Sequence, residues 1–173
     1  MKLISCTIEN FGKLNNVTYD FSGECNTICE DNGWGKSTLA SFIRVMFYGF
    51  KNESKKKLVD KERNRLMPWQ KGVYGGEIVF ETGGVVYSLR RTFGKKQVDD
   101  EFLLVRKDTN VECDDFSCDI GEELFKIDAQ SFERTVFIGQ SDCVTSTTDS
   151  INAKIGNLAD NTDDINNFET AVG

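Results

Sequence analysis

Glu30-Asp31-Asn32-Gly33-Trp34-Gly35-Lys36-Ser37-Thr38 is the stretch on which the reading of this chain turns. It nearly matches the phosphate-loop pattern G-x-x-x-x-G-K-[ST]: Gly35, Lys36 and Ser37 are in place, and Glu30 stands where the pattern has its first glycine. Each residue type has a physical job. Gly33 and Gly35 let the backbone curl so that successive N–H groups, Asn32 and Trp34 included, point inward at phosphate oxygens. The start of the following helix adds its positive dipole end. Lys36 places an ammonium on the β and γ phosphates, the Ser37 hydroxyl is the candidate Mg²⁺ ligand, and Thr38 adds a donor for the α-phosphate. Glu30 and Asp31 put two carboxylates beside a polyanion, so the loop works only if both side chains point outward. Gly33-x-Gly35-x-x-Thr38 also mimics a dinucleotide fingerprint, but that fingerprint needs a last glycine and no Lys-Ser.

The flanks supply the context that the motif needs. Before it, Cys25–Cys29 reads as a short strand. After it the period changes: Leu39, Phe42, Ile43, Met46 and Phe47 share one face of a buried helix, and Gly49 sits where a C-cap belongs. Farther out, residues 2–9 and 17–21 alternate apolar and polar as half-buried strands around a turn at 10–13. Residues 77–81, 85–93 and 101–106 read as an antiparallel set, with a hairpin turn at Thr82-Gly83-Gly84. Residues 119–127 suit a short helix, Asp128 or Ser131 caps another, and Thr135–Gln140 reads as a buried strand running into a polar loop. The expected fold is α/β, with a mixed and antiparallel sheet around the loop's helix.

Composition sets the bounds. A chain of 173 residues and 19.5 kDa is one domain's worth, and 39 % apolar residues including 13 Phe suffice for a core. No apolar run reaches membrane-spanning length, and the N-terminus lacks the apolar stretch of a secretion signal. A cytoplasmic location is expected, with the six Cys as free thiols. The absence of His removes the Ser-His-Asp triad and His metal ligands. A net charge of −7 makes the whole surface no magnet for nucleic acid, so a basic site must be local. Residues 51–71 offer one, with eight Lys/Arg against three Asp/Glu, a local +5. Lys55, Lys56, Lys57, Arg63 and Arg65 are its candidate DNA contacts, set against a plain solvated loop. Trp69, after the sole proline Pro68, is expected to pack rather than stack on a base. Cys25/Cys29 and Cys113/Cys118 have poor zinc spacing, and Asp114, Asp115 and Asp119 read as an acidic loop.

Residues 1–13 followed by Asn32-Gly33-x-Gly35-Lys36-Ser37 resemble the opening of SMC-type ATPases, the group of SMC, SbcC-type repair and RecF-like proteins. Their usual loop is G-x-N-G-x-G-K-S, and only Glu30 departs from it. Ser131–Gln140 then resembles the family's Q-loop, whose glutamine reaches the metal and the attacking water. By that resemblance Gln140 is a catalytic residue and second Mg²⁺ contact beside Lys36 and Ser37, and Lys13 is a basic residue near the nucleotide. Pro68-Trp69 before Gly75-Gly76 further resembles a bacterial subgroup of SMC-like ATP-binding proteins. The resemblance spans residues 1–145 and implies ATP and Mg²⁺ as ligands. It implies the ABC/SMC head type, with this chain as the N-terminal lobe. It implies two partners: the C-terminal half of the same head, and a second head clamped on by ATP. DNA across the top surface, and a role in DNA repair, chromosome maintenance or defence, follow from the same likeness.

No Walker B strand, signature motif or switch histidine occurs in the chain. In the resembled proteins those parts follow a long coiled coil. Residues 146–173, with five acids and one Lys, then read as a polar linker and the first turns of that coil, cut at Gly173. On this reading the 173 residues alone hydrolyse ATP negligibly and bind it weakly or not at all. Two alternatives stay open: a small P-loop kinase or GTPase, which would want its own Walker B Asp or an Asn-Lys-x-Asp motif, and a tether that ATP gates without hydrolysis.

Overall fold

A computed structural model of the chain describes residues 1–50 and 61–137. The described chain contains β1 (Lys2–Phe11), β2 (Leu14–Asp20), α1 (Lys36–Tyr48), α2 (Glu62–Arg65), β3 (Gly75–Thr82), β4 (Val85–Thr92), β5 (Glu101–Arg106), β6 (Val111–Glu112), α3 (Ile120–Phe125) and α4 (Ala129–Thr135). The six strands form one sheet in the order β2-β1-β3-β4-β5-β6. Every pairing among them is antiparallel, so the mixed component expected of the sheet is absent among the described residues. Residues 1–124 belong to one compact unit and the described residues 125–137 to a second.

Alternation along the strands builds the first unit's core. Cys6 pairs with Ile78, Ile78 with Leu89 and Leu89 with Leu104, and all four are buried on one face. The apolar stripe of α1 lies over that face. Phe42 meets Phe11 edge-on with ring centroids 5.3 Å apart, and Phe47 meets Phe80 at 5.7 Å. Phe11, Phe50, Tyr74 and Phe93 close the end of the core nearest the β1–β2 turn. Gly76 explains why the sheet and helix can meet so closely. A Cβ there would lie 2.1 Å from the Thr7 carbonyl oxygen and 3.0 Å from Phe42 Cζ.

Burial pushes the Cys6 thiol up to about 12, partly offset by a backbone hydrogen bond at Tyr19. It is therefore a protonated, unreactive thiol at neutral pH. Cys25, Cys29 and Cys118 are exposed. Treatment of the native chain with a maleimide at pH 7.5 is expected to label those three and spare Cys6. Peptide mapping with Cys6 labelled as fast as Cys29 would contradict this packing.

Two expectations fail here. Residues 25–29 form no strand; they are largely exposed and have no ladder partner among the described residues. A strand needs neighbouring backbone groups as well as a pattern of its own. Thr135–Phe137 does not begin a buried strand either. Thr135 ends α4, Val136 is helical in φ and ψ, and its side chain is exposed. Asp128 prevails as an N-cap, its carboxylate accepting from the Ser131 N–H at 2.7 Å, and the Thr135 hydroxyl donates to the Ser131 carbonyl. Within this second unit Phe125 and Phe132 pack with centroids 4.9 Å apart. Gln140 and the expected coil start near Asp163 lie outside the described residues, as do Lys55, Lys56 and Lys57.

Candidate functional site: a phosphate loop beside an open cavity

The loop at 30–38 curls through two glycines. Gly33 has φ +83° and faces open space. Gly35 has φ +129°, and a Cβ there would lie 2.9 Å from Leu14 Cδ2 and 3.2 Å from Lys13 Cε. Only glycine combines that φ with that approach. Glu30 takes no positive φ, so an L-residue fits where the usual pattern has its first glycine. Its side chain and that of Asp31 are exposed, which is the outward arrangement the loop requires.

Gly35 is also the N-cap of α1, and this end carries no side-chain cap and no acid in its first turn. Its leading N–H groups are therefore free of the two protein features that ordinarily occupy a helix start. Lys36 folds back over the loop, and its ammonium donates to the carbonyl oxygens of Glu30 at 2.5 Å and Asp31 at 3.0 Å. Both contacts are exposed, so a phosphate can displace them. Trp34 bonds through its N–H to the Asp31 carbonyl at 3.1 Å, and its ring meets Tyr19 of β2 edge-on at 5.8 Å. Slight burial raises the Tyr19 phenol, and the Glu30 carboxylate adds to the rise.

The structure places Lys13 in the β1–β2 turn, with its stem against Gly35. That turn is pinned on its other side, where the Gly12 N–H donates to the Leu66 carbonyl at 2.6 Å. Between the turn, α1 and the segment after α2 lies an open cavity of about 600 Å³. Its walls include Lys13, Ser37, Thr38, Ser41, Arg65 and Trp69. Ser37 and Thr38 thus join the loop to the cavity. Among the described residues no group of three His, Cys, Asp or Glu side chains could hold a metal, and Ser37 is one of the cavity's wall residues. A Mg²⁺ ion that keeps its waters and takes its other oxygens from phosphates needs no such protein cage.

The basic segment is corrected at Arg63. Arg63 is no free DNA contact. It is 3 % exposed, donates to both Asp100 carboxylate oxygens at 2.6 and 2.8 Å and to the Gly94 carbonyl, and lies over the Phe50 ring. Arg65 is exposed and lines the cavity. Trp69 does not pack, contrary to expectation: it is fully exposed. The sequence reading missed Ser41, Met67 and Gln70 as wall residues. Their available signal was the run Met67–Gln70, between a positive-charge cluster and Gly72, with a tryptophan that no apolar period explains. In the acidic loop, Asp115 is held by Arg106 at 2.6 Å and by the Tyr87 hydroxyl at 2.9 Å. The Arg106 hydrogen bond keeps its carboxyl low.

No helix among the described residues is long and apolar enough to cross a membrane. The "Uncharacterized protein YhaN" of Bacillus subtilis (strain 168) is 35 % identical over 82 residues, which is 47 % of this chain and 8 % of that protein. The chain thus matches only a small part of that relative's length. A family profile described as an AAA domain matches residues 5–172, nearly the whole chain. With the loop geometry in hand, that match shows the chain to belong to the AAA domain family of P-loop ATPases.

Proposed function

We propose that this chain is the N-terminal, ATP-binding lobe of an SMC-like ATPase head. The observation that carries this reading is the loop itself. An uncapped α1 start and the Lys36 ammonium, parked on two replaceable carbonyls, belong to one loop that curls through Gly33 and Gly35. On binding, Lys36 exchanges the Glu30 and Asp31 carbonyls for phosphate oxygens. The α1 N–H groups and Thr38 orient the chain of phosphates, and Ser37 presents its hydroxyl to Mg²⁺. The Mg²⁺ ion, when bound, neutralises phosphate charge.

The finer reading concerns what surrounds this lobe in the whole protein. Residues 25–29 run into the loop without a ladder partner among the described residues, and strands from a C-terminal half would supply one. A second head would then close over the nucleotide, with Gln140 reaching the metal. The basic residues Lys55–Lys57 and the exposed Arg65 are the remaining candidates for DNA. Hydrolysis, dimerisation and DNA work belong to that assembly, because the chain has no Walker B carboxylate of its own.

Both tryptophans lie at the site, so fluorescence tests the reading directly. Addition of Mg-ATP to about millimolar concentration is expected to change the emission of the chain, and the change is expected to persist in Trp69→Phe, where Trp34 alone reports. Unchanged emission, with no heat of binding, would reject nucleotide binding by this lobe. A steady ATPase rate of the isolated chain, abolished by Lys36→Ala, would reject its dependence on a second half.

A further inference from the structure

We propose that a second cavity, on the sheet face turned away from the core, binds a zwitterionic amino acid with an apolar side chain. This inference does not depend on the phosphate-loop reading. The cavity has a volume of about 350 Å³, and its walls are Val73, Arg90, Thr92, Glu101 and Leu103. None of these residues walls the cavity beside the loop. Alternation fixes the face. Tyr87, Leu89 and Arg91 of β4 and Leu104 of β5 are buried toward the core. Arg90, Thr92, Glu101 and Leu103 therefore stand on the opposite side of the sheet.

Elsewhere on that face polar side chains satisfy one another. Glu77 accepts from the Ser88 hydroxyl at 2.6 Å and from the Lys107 ammonium at 3.1 Å. That row stops at Gly75, the β3 partner of Thr92. A Cβ there would lie 2.0 Å from the Arg91 carbonyl oxygen, so no side chain can stand beside Thr92 on that strand. Val73 closes one side of the resulting gap. Its carbonyl accepts from the buried Asn10 amide at 3.0 Å, and the Tyr74 carbonyl after it accepts from the Phe93 N–H at 2.7 Å. Across β4 and β5 the register sets Arg90 opposite Leu103 and Thr92 opposite Glu101. Arg90 and Glu101 thus stand on a diagonal, about 7–8 Å apart at the backbone. Their long side chains leave room between them for an ammonium and a carboxylate carried on one carbon. Glu101 enters no ion pair among the described residues. Arg90 is paired with Glu9, but its side chain is 52 % exposed, so a ligand carboxylate can share the guanidinium at little cost. An anion alone would face Glu101, and a cation alone would face Arg90, so the walls favour a ligand that carries both charges. Val73 and Leu103, each more than a third exposed, offer apolar surface to its side chain.

Chemical-shift titration of the isotope-labelled 173-residue chain tests the site with three probes. L-leucine carries both charges, isocaproate lacks the ammonium, and isoamylamine lacks the carboxylate. L-leucine is expected to move the Thr92, Glu101 and Leu103 amide signals and to saturate, with a Kd on the order of a millimolar for so few atoms. Each single-charge probe should bind about two- to fivefold more weakly. Glu101→Gln should weaken L-leucine by about the same factor and leave isocaproate unchanged, and Arg90→Gln should weaken L-leucine and leave isoamylamine unchanged. Both side chains are exposed, so the melting temperature should hold in each variant, and thermal melts check this. Shifts that do not saturate at tens of millimolar would overturn the site. So would isocaproate or isoamylamine binding as tightly as L-leucine, or variants that bind all three probes as wild type or weaken all three alike.

Discussion

Lys36→Ala is expected to lose nucleotide binding while keeping the fold. The ammonium is exposed and holds only the Glu30 and Asp31 carbonyls, so its removal leaves no buried group without a partner. The melting temperature should therefore move by no more than about a degree or two, as for other exposed substitutions. Binding is a different matter. A charged hydrogen bond to a phosphate contributes about 1.5–3 kcal/mol, which raises the Kd by roughly tenfold to 150-fold. Lys13→Ala should cost less, about two- to fivefold, because that cation lies in the turn beside the loop and acts through a longer, screened distance. Titration of both variants with Mg-ATP, with thermal melts alongside, checks the order. Equal losses for Lys13 and Lys36, or a Lys36→Ala chain that binds as wild type, would mean that the phosphates sit elsewhere.

What the sequence makes legible is what is locally encoded. The α1 stripe carries its own period and its own stop at Gly49, whose N–H bonds the Val45 carbonyl at 2.7 Å. The β3–β4 hairpin carries alternation on both sides of Gly83-Gly84, and its register runs unbroken from Gly75–Thr92 to Thr82–Val85. The phosphate loop is legible because its glycines and lysine are contiguous. The failures share a cause: each depended on something distant. Cys25–Cys29 alternates like a strand, yet no described strand lies beside it. Thr135–Phe137 is apolar enough for a strand, but the Asp128 cap commits the chain to a helix first. Trp69, expected to pack, is fully exposed, since nothing in its neighbours states that the chain has already left the core. Arg63 is the sharpest case, because its partner Asp100 is 37 residues away.

That ion pair gives the second large effect. Arg63 is 4 % exposed in its side chain and Asp100 16 %, and the same carboxylate also accepts from the Gly94 N–H at 2.9 Å. Arg63→Ala would leave Asp100 and the Gly94 carbonyl short of a donor and open space against Phe50. Removing one partner of a buried pair costs about 3–5 kcal/mol. Set against a typical domain stability of roughly 5–15 kcal/mol, that brings the chain near its threshold. The denaturation midpoint should fall steeply, and nucleotide affinity should fall with it, because α2 mounts the cavity wall. Arg63→Ala with Asp100→Ala should cost less than the two single changes added, since neither charge is then left alone. Arg65→Ala, two residues on and exposed, should leave the midpoint within about 0.5 kcal/mol of wild type. Urea melts of wild type, the two single variants, the double variant and Arg65→Ala decide between a structural tie and a surface contact. If Arg63→Ala keeps its midpoint and instead loses DNA binding, the guanidinium faces a partner, and the basic segment works as one electrostatic patch.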